Sequence, residues 1–497
     1  MQLPSFLKSG EVARLFPVIS ESSKEQRAAS IFLSVLSAVP SFAEALLAQT
    51  GQRIGARTVI NTFTEVVFAS EQAVSSKDRP DGLILLSSGS RQWTALLKAK
   101  IANGVLTVEQ TERYVKLARD NQVDAVITIS NQFTSLPTHC PVAIQKSLTR
   151  KVALFHFSWS AVLTSAVLLH EQGSVIDTEQ AFLLRELIRF LSHPSAGLTR
   201  YTSMPGEWSG AIDLVQAGGK VTKQHAVTIV SGWYQEIRDL TLLMSRLIGC
   251  PIRLRLARSH QADAELRLRE DADRLCRESV LDAVLEIPNA ASPLRIVADL
   301  RARAVRVSMT IDAPKDRKTN GARTNWLLRQ LRDVKLDRVS VALIWASRAP
   351  DTLFPLKALL DAPKLAETAT VSSELRAFEI VVSSSNAQRF IGRRTVIEEI
   401  EQLAPRFYEE IGQHLRAWKP QLPKPLHSIG GEPKRTKPEP AGTLQPGNAH
   451  NSILDIPDFL RRDAGGSGEM LQAAAPDAID GGADLDHLMR HQGDTAV

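Results

Sequence analysis

Residues 80–114 carry side chains of the types needed for metal-dependent hydrolysis of a phosphodiester. Asp81 follows Pro80 in a turn at the start of an apolar strand, and Lys100 lies on the next predicted strand. Because neighbouring strands are about 5 Å apart, the two side chains are predicted to converge. A carboxylate ligates Mg²⁺, and a lysine stabilises the charge of the transition state. The alternative is that Asp81 is only a turn residue, since Pro-Asp-Gly is a common β-turn sequence.

A second pair of polar side chains follows on a predicted amphipathic helix over 108–119. Gln110 and Tyr114 are four residues apart, so they share one helix face. That face could position a nucleic-acid backbone or a water molecule near Asp81. On their own, the two residues would be ordinary helix-surface residues.

The pattern resembles the PD-(D/E)xK nuclease superfamily, which has the restriction-endonuclease-like fold. Pro80-Asp81 and Lys100 match its central motif, and Gln110-x-x-x-Tyr114 matches the extra motif of its RecB-like branch. The resemblance implies an αβββαβ core over about residues 20–160. It also implies that Asp81 binds Mg²⁺ or Mn²⁺, that Lys100 orients water, and that Gln110 and Tyr114 are accessory. An acidic metal ligand on the first helix is expected as well, with Glu25 as the first candidate and Glu65 as the second.

The chain departs from the superfamily pattern at Lys98, where Asp or Glu is expected two residues before the lysine. A lysine cannot ligate Mg²⁺, and two like charges about 4 Å apart repel by about 4 kcal/mol at a surface-like dielectric. Either another carboxylate, from Glu109 or Glu65, replaces the missing acid, or the site does not cleave.

The elements that would position these residues follow from hydrophobic periodicity. Residues 11–49 are predicted to be helical with a break at Pro40, and strands are predicted over 57–68, 83–86 and 93–101. After the 108–119 helix, continuous apolar strands are predicted over 125–129 and 152–157. This order of elements supports the resemblance.

Length and composition predict several units and an intracellular address. A chain of 497 residues is long for one core, no apolar run approaches the ~18 residues of a membrane span, and the start shows no signal-peptide pattern. Three widely spaced cysteines indicate a reducing compartment. We therefore predict a cytoplasmic protein without a membrane partner, with no indication of oligomeric state.

The predicted organisation has four parts: a nuclease-like domain (1–160), a helical connector (161–249), a second α+β domain (250–418) and a disordered tail (419–497). The segment from 418 to the end carries 8 Lys and Arg against 11 Asp and Glu, a charge of −3, which leaves +9 for the rest. A basic body fits a polyanionic partner. Candidate nucleic-acid contacts are Lys98, Lys315, Arg317, Lys318, Arg393 and Arg394. For the two clusters at 315–318 and 393–394, the alternative of solvated surface loops is slightly favoured.

The tail contains a short apolar and basic motif, residues 453–462, within a Pro- and Gly-rich surrounding. It resembles the C-terminal docking peptide of the bacterial tubulin-like division protein, although 35 residues follow it here. The motif is a candidate docking site for a protein partner.

Two main functions follow. The first is a metal-dependent phosphodiester hydrolase of a bacterial-type protein, acting on DNA in processing, stress response or defence. The alternative is a catalytically degenerate protein of the same fold that binds nucleic acid or protein partners without cleavage. A third hypothesis, a scaffold that binds no nucleic acid, rests only on the tail and its motif.

Overall fold

Two β-sheets organise the part of the chain that the computed structural model describes, residues 3–16, 24–69, 79–346, 350–368, 373–384 and 386–419. Strands of the first sheet are β1 Leu7–Val12, β2 Val59–Phe68, β3 Gly82–Ser88, β4 Arg91–Ala99, β5 Ala125–Ser130 and β6 Ala153–Ser158. Strands of the second sheet are β7 Arg253–Leu254, β8 Val280–Glu286, β9 Leu294–Asp299, β10 Ala304–Asp312, β11 Val339–Trp345, β12 Thr352–Pro355 and β13 Leu375–Ser383.

Helices surround both sheets and fill the sequence between them. The α-helices are α1 Lys24–Ala38, α2 Pro40–Leu47, α3 Val108–Asp120, α4 Trp159–Glu171, α5 Thr178–Ser192, α6 Glu207–Gln216, α7 Lys223–Ile248, α8 Arg258–Ala262, α9 Ala264–Glu278, α10 Asn320–Leu328, α11 Leu356–Asp361, α12 Leu365–Thr368, α13 Ala387–Ile391 and α14 Thr395–Glu410. Short 3₁₀ helices lie at Ala48–Thr50, Leu148–Arg150, Pro194–Ala196 and Gly412–His414.

The first sheet is mixed, with its strands in sequence order from β1 to β6. Strands β1 to β4 form an antiparallel meander, whereas β4 and β5, and then β5 and β6, are parallel. Helix α3 is the crossover that parallel pairing of β4 and β5 requires. In the β3–β4 register Gly82 lies opposite Leu97, so the residues at the start of β3 meet the end of β4.

Helices cover both faces of this sheet. One buried cluster joins α1, α2, α4 and α5 to alternate residues of the strands, including Ile84 and Leu97. A second cluster joins α3 to the opposite face through residues such as Leu96 and Tyr114. The alternation of buried side chains along β4 therefore directs Leu96 towards α3 and Leu97 towards α1.

The predicted helical region 11–49 is partly correct. The break at Pro40 is confirmed, because α2 begins at this proline, whose missing N–H group is no loss at a first helical position. Residues Leu7–Val12, however, form strand β1, and residues 13–16 are not helical, so the helical prediction was wrong for residues 11–16. Only Leu7 of this strand is buried, and its pairing with β2 decides its conformation.

Gly82 allows β3 to lie close to α1 directly after Asp81. A Cβ atom at Gly82 would come within 2.3 Å of Leu33 Cδ1 and 2.9 Å of the Phe63 carbonyl oxygen. A larger residue at this position would separate the strand that carries the predicted carboxylate from the first helix.

The second sheet is antiparallel throughout, in the order β12-β11-β13-β10-β9-β8-β7. One of its faces packs on residues of α6, α7, α9 and α14 in the largest buried cluster of the chain. Helix α7 is capped at its start by Thr222, whose side chain accepts the His225 N–H, and at its end by Gly249 with φ 73°.

The described residues belong to one compact unit, and the fold is α/β with a mixed sheet, a helical part and a second sheet. Apart from residue 419, the predicted tail and its motif at 453–462 lie outside the described residues. No single described helix is long and apolar enough to cross a membrane, although α1 and the segment Pro40–Thr50, bent by 109°, pass that test together.

Candidate functional site

Asp81 lies at the mouth of β3 and uses both carboxylate oxygens. Its Oδ1 accepts a hydrogen bond from Lys98 Nζ at 2.9 Å, and its Oδ2 accepts one from the Ala99 N–H at 2.7 Å. The Asp81 N–H donates to the Leu97 carbonyl at 3.0 Å, which extends the β3–β4 pairing by one residue. Asp81 is thus held against the end of β4 by three hydrogen bonds.

Lys98 is buried beside this carboxylate. Only 10% of its side chain and 8% of that of Asp81 are exposed. Its Nζ also lies 5.6 Å from the centre of the Tyr114 ring, within the range of a cation–π contact. Lys98, the residue that departs from the superfamily pattern, therefore belongs to a buried ion pair on the side of the sheet that α3 covers.

Burial and charge act in opposite directions on the two partners. Burial raises the pKa of Asp81, while the Lys98 ammonium and the Ala99 N–H oppose that rise. For Lys98, burial acts to lower the pKa, but the Asp81 carboxylate together with Tyr114 and Glu25 outweighs it, so the pKa is raised. The lysine is thus the cationic partner of a carboxyl that water does not solvate.

Lys100 pairs with a different acid from the one predicted. Its Nζ lies 3.2 Å from Glu25 Oε2 on α1, and this pair is more exposed, with 20% of the lysine and 32% of the glutamate side chain accessible. The Glu25 charge also contributes to raising the pKa of Asp81, so the two ion pairs form one cluster. Two cations and two anions leave this cluster neutral.

The two ion pairs differ in the free energy that is lost when one partner is removed. Removing one partner of a buried pair typically costs about 3–5 kcal/mol, because an uncompensated charge stays behind. An exposed pair contributes about 0–1 kcal/mol. The Lys98–Asp81 pair resembles the first class, and the Lys100–Glu25 pair lies closer to the second. Lys100 is therefore the cation that separates from its partner at the lower cost.

The other candidate acids do not replace the missing one. Glu65, with φ 53°, accepts a hydrogen bond from Gln26 Nε2 at 3.1 Å on its Oε1. Glu109 is exposed in the first turn of α3. Neither residue has a described contact with Asp81 or Lys98.

Of the predicted accessory pair, the structure brings Tyr114 into the cluster. It is 3% exposed, its ring faces Lys98, and its hydroxyl donates to the Arg79 carbonyl at 3.2 Å. Gln110 is half-buried in the first turn of α3, where its N–H is capped by Thr107 Oγ1. Its side chain makes no hydrogen bond to any described residue that would join it to the cluster.

The arrangement does not fit a divalent metal ion. Mg²⁺ needs oxygen ligands at about 2.0–2.1 Å, but the Lys98 ammonium engages one Asp81 oxygen and the Ala99 N–H engages the other. Within the described ranges, no three His, Cys, Asp or Glu side chains lie close enough together to hold a metal ion. Lys98 Nζ takes the place beside Asp81 that a cation would need.

The other predicted nucleic-acid contacts lie around the second sheet. Lys315, Arg317 and Lys318 are exposed in the loop from β10 to α10. Beneath them, the buried Arg323 donates from Nε to the Arg317 carbonyl at 2.9 Å and also pairs with Glu374. This buried guanidinium holds the loop that presents the three cations.

Arg393 and Arg394 are also exposed, immediately before α14. Arg393 Nε donates to the Met204 carbonyl at 2.7 Å, so one of its nitrogen atoms already has a partner. Lys98 differs from all these cations, since its ammonium is sealed against Asp81.

Comparison of the chain with models of known families, with curated proteins and with solved structures finds no match. The geometry of the cluster therefore carries the functional argument alone.

Several groups that shape the cluster were not found by sequence reasoning. The Ala99 N–H, the Arg79 carbonyl and the Trp159 Nε1–H, which donates to the Lys100 carbonyl at 2.7 Å, all contribute. Backbone groups are present at every residue, so no residue type signals them. Trp159, directly after a predicted strand, could have been noticed in the sequence. Its hydrogen-bond partner, the Lys100 carbonyl, could be identified only from the tertiary structure.

Proposed function

We propose that this protein binds nucleic acid, with DNA favoured, on a restriction-endonuclease-like core that does not cleave its ligand. The observation that carries the proposal is the 2.9 Å contact of Lys98 Nζ with Asp81 Oδ1 in a sealed position. The Lys98 ammonium there neutralises Asp81 and occupies the position beside the carboxylate that a metal ion would need. The metal-dependent hydrolase predicted from the sequence is less well supported by this geometry.

The order of elements supports the nuclease-like core. Helices α1 and α2 are followed by β2, β3 and β4, then by the α3 crossover and β5. The start of β3 meets the end of β4, so Asp81 lies beside Lys98, and Lys100 follows β4 directly and pairs with Glu25. Strands β1 and β6 extend the sheet at its two edges.

Binding without cleavage is supported by the distribution of cations. Phosphate contacts by Lys and Arg supply most of the affinity for DNA and fix its position without the need for catalysis. Lys100 is partly exposed at the cluster, and the loop over Arg323 presents Lys315, Arg317 and Lys318.

Binding and cleavage assays on the full chain test this proposal. We expect salt-dependent binding of duplex DNA and no cleavage of single- or double-stranded DNA or RNA with Mg²⁺ or Mn²⁺. Cleavage by the unaltered protein that is lost in Asp81→Ala would overturn the proposal. Failure to bind any nucleic acid at low salt would also overturn it and would favour a scaffold role.

A charge reversal tests the role of Lys98 directly. In Lys98→Glu, calorimetry should detect binding of Mg²⁺ or Mn²⁺ that the unaltered protein lacks, because the cation beside Asp81 is replaced by a carboxylate. Lys116→Glu makes the same charge change at an exposed position of α3 and is the control. Equal metal binding by both variants would show that the position beside Asp81 is not a latent metal site.

A further inference from the structure

We propose that Glu25 masks Lys100 as an electrostatic gate, and that a phosphate group of DNA opens the gate by taking Lys100 from it. This inference rests on the proposed function and adds which residue limits binding at the cluster. Lys100 is the phosphate contact, and Glu25 is its competitor.

The gate is built from the exposed half of the four-residue cluster. Lys100 Nζ and Glu25 Oε2 are 3.2 Å apart, and both side chains retain access to solvent, at 20% and 32%. The neighbouring pair of Lys98 and Asp81 is sealed, at 10% and 8%. A ligand that approaches the cluster therefore meets Lys100 and Glu25 before the other two residues.

The backbone of Lys100 is fixed while its side chain reaches outwards. Its N–H donates to the Ile129 carbonyl at 2.8 Å, and its carbonyl accepts from Trp159 Nε1 at 2.7 Å. With both backbone groups bonded, the cation can change partner only by rotation about the bonds of its side chain. That rotation moves Nζ between an acid and a ligand without disturbing β4.

A glycine lets the adjoining loop lie directly against the pair. A Cβ atom at Gly104 would come within 3.1 Å of Glu25 Oε1 and 3.3 Å of Lys100 Cδ. Contacts this short mean that the loop covers the pair with backbone and not with a side chain. The accessible remainder of the two residues is the surface that a phosphate can approach.

Charge determines which ligands open the gate. A DNA phosphate competes with the Glu25 carboxylate for the Lys100 ammonium, and once Lys100 moves, the freed carboxylate repels the same phosphate. Glu25 thus lowers the affinity for every polyanion at this position, and closely spaced phosphates compete better than an isolated charge. Neutralising Glu25 removes both effects.

The test measures binding of a 20-base-pair DNA duplex by the full chain over a salt series. In Glu25→Gln, the affinity at low salt should rise by about three- to tenfold, because the phosphate no longer has to displace a carboxylate from Lys100 and is no longer repelled by it. Glu44→Gln removes the same charge from an exposed position of α2 and is the control. Glu25→Ala is a second variant for the case in which the glutamine variant folds poorly.

The double variant Glu25→Gln/Lys100→Gln shows whether Lys100 is the residue that gains. The rise in DNA affinity that Glu25→Gln produces should disappear in the double variant. If it persists, Lys100 is not the phosphate contact and the inference fails. If the unaltered protein binds DNA but Glu25→Gln and Glu44→Gln behave alike, the gate is absent and the proposed function stands. If the unaltered protein does not bind DNA at all, the proposed function itself fails.

Discussion

Lys98 Nζ lies 2.9 Å from Asp81 Oδ1, and the two side chains are almost fully buried. In Lys98→Met the Asp81 carboxyl stays in place without its cation, so we expect a loss of about 3–5 kcal/mol in the free energy of unfolding. The loss should be smaller at pH 5 than at pH 8, because burial raises the pKa of Asp81 and the unpaired carboxyl takes up a proton as the pH falls.

The double variant Asp81→Asn/Lys98→Met is the control for this pair. It removes both charges together, so it should lose less stability than the sum of the two single variants, as measured by chemical denaturation. Strict additivity would contradict the assignment of the two residues as one coupled pair.

The close approach of β3 to α1 depends on Gly82. A Cβ there would lie 2.3 Å from Leu33 Cδ1, so Gly82→Ala should lower the free energy of unfolding by about 1–3 kcal/mol through overpacking. Gly55→Ala, where a Cβ would meet no atom within 4 Å, should change stability by less than ~1 kcal/mol. Similar losses in both variants would point to a general effect of replacing glycine.

His156 should make the protein less stable in mild acid. Burial lowers its pKa to about 4, while the Gln132 carbonyl, 2.8 Å from Nε2, opposes this shift. In the unfolded chain His156 takes up a proton near pH 6.5, whereas in the folded protein it does so only near pH 4. The contribution of neutral His156 to the free energy of unfolding is therefore complete above pH 6.5 and is lost as the pH falls towards 4. The loss from this group amounts to ~3 kcal/mol.

The measurement is the midpoint of thermal unfolding at pH 7.5, 6 and 5. His156→Gln lacks the titrating group, so its decline in midpoint over this range should be smaller than that of the unaltered protein. Parallel declines would show that other groups dominate the acid sensitivity.

Glu236 on α7 predicts the opposite pH dependence. It is fully buried, and neither of its carboxylate oxygens has a hydrogen-bond partner among the residues that the structure describes. Burial, followed by the nearby charges of Glu401 and Asp239, raises its pKa well above the usual value, and Arg200 opposes this. The folded state then holds a proton that the unfolded state releases above about pH 4.3, so the stability contributed by this group falls as the pH rises.

Glu236→Gln keeps the shape of the protonated side chain without a titrating group. The variant should gain thermal stability relative to the unaltered protein as the pH rises from 4.5 to 8, as measured by calorimetry at each pH. A difference that stays constant over this range would mean that Glu236 does not titrate differently on folding.

The sequence was sufficient for most local structure in the first sheet. Alternating and continuous apolar runs correctly predicted strands at β2 to β6, and the spacing of apolar residues predicted α3. These features depend on a side-chain period and on short-range sterics, which neighbouring residues determine. Strand β1 was missed because only Leu7 is buried in it, so its pattern does not alternate and pairing with β2 creates the strand.

The sequence also determined which residues compose the candidate site. Asp81, Lys98, Lys100 and Tyr114 were singled out from residue type and spacing, and Glu25 from the resemblance; ion pairs and a ring contact now connect them, whereas Gln110 and Glu65 lie outside the cluster. The nuclease-like chemistry of that cluster stays a prediction.

Only the tertiary structure decided which lysine pairs with which acid. Lys98 and Lys100 are two residues apart, yet one contacts an acid 17 residues away and the other an acid 75 residues away. The β3–β4 register places Asp81 beside Lys98, and the packing of α1 on the sheet brings Glu25 to Lys100. Neither distance is encoded by local spacing, because both depend on how remote segments pack. The same packing determines which cation is sealed and which one a ligand can reach.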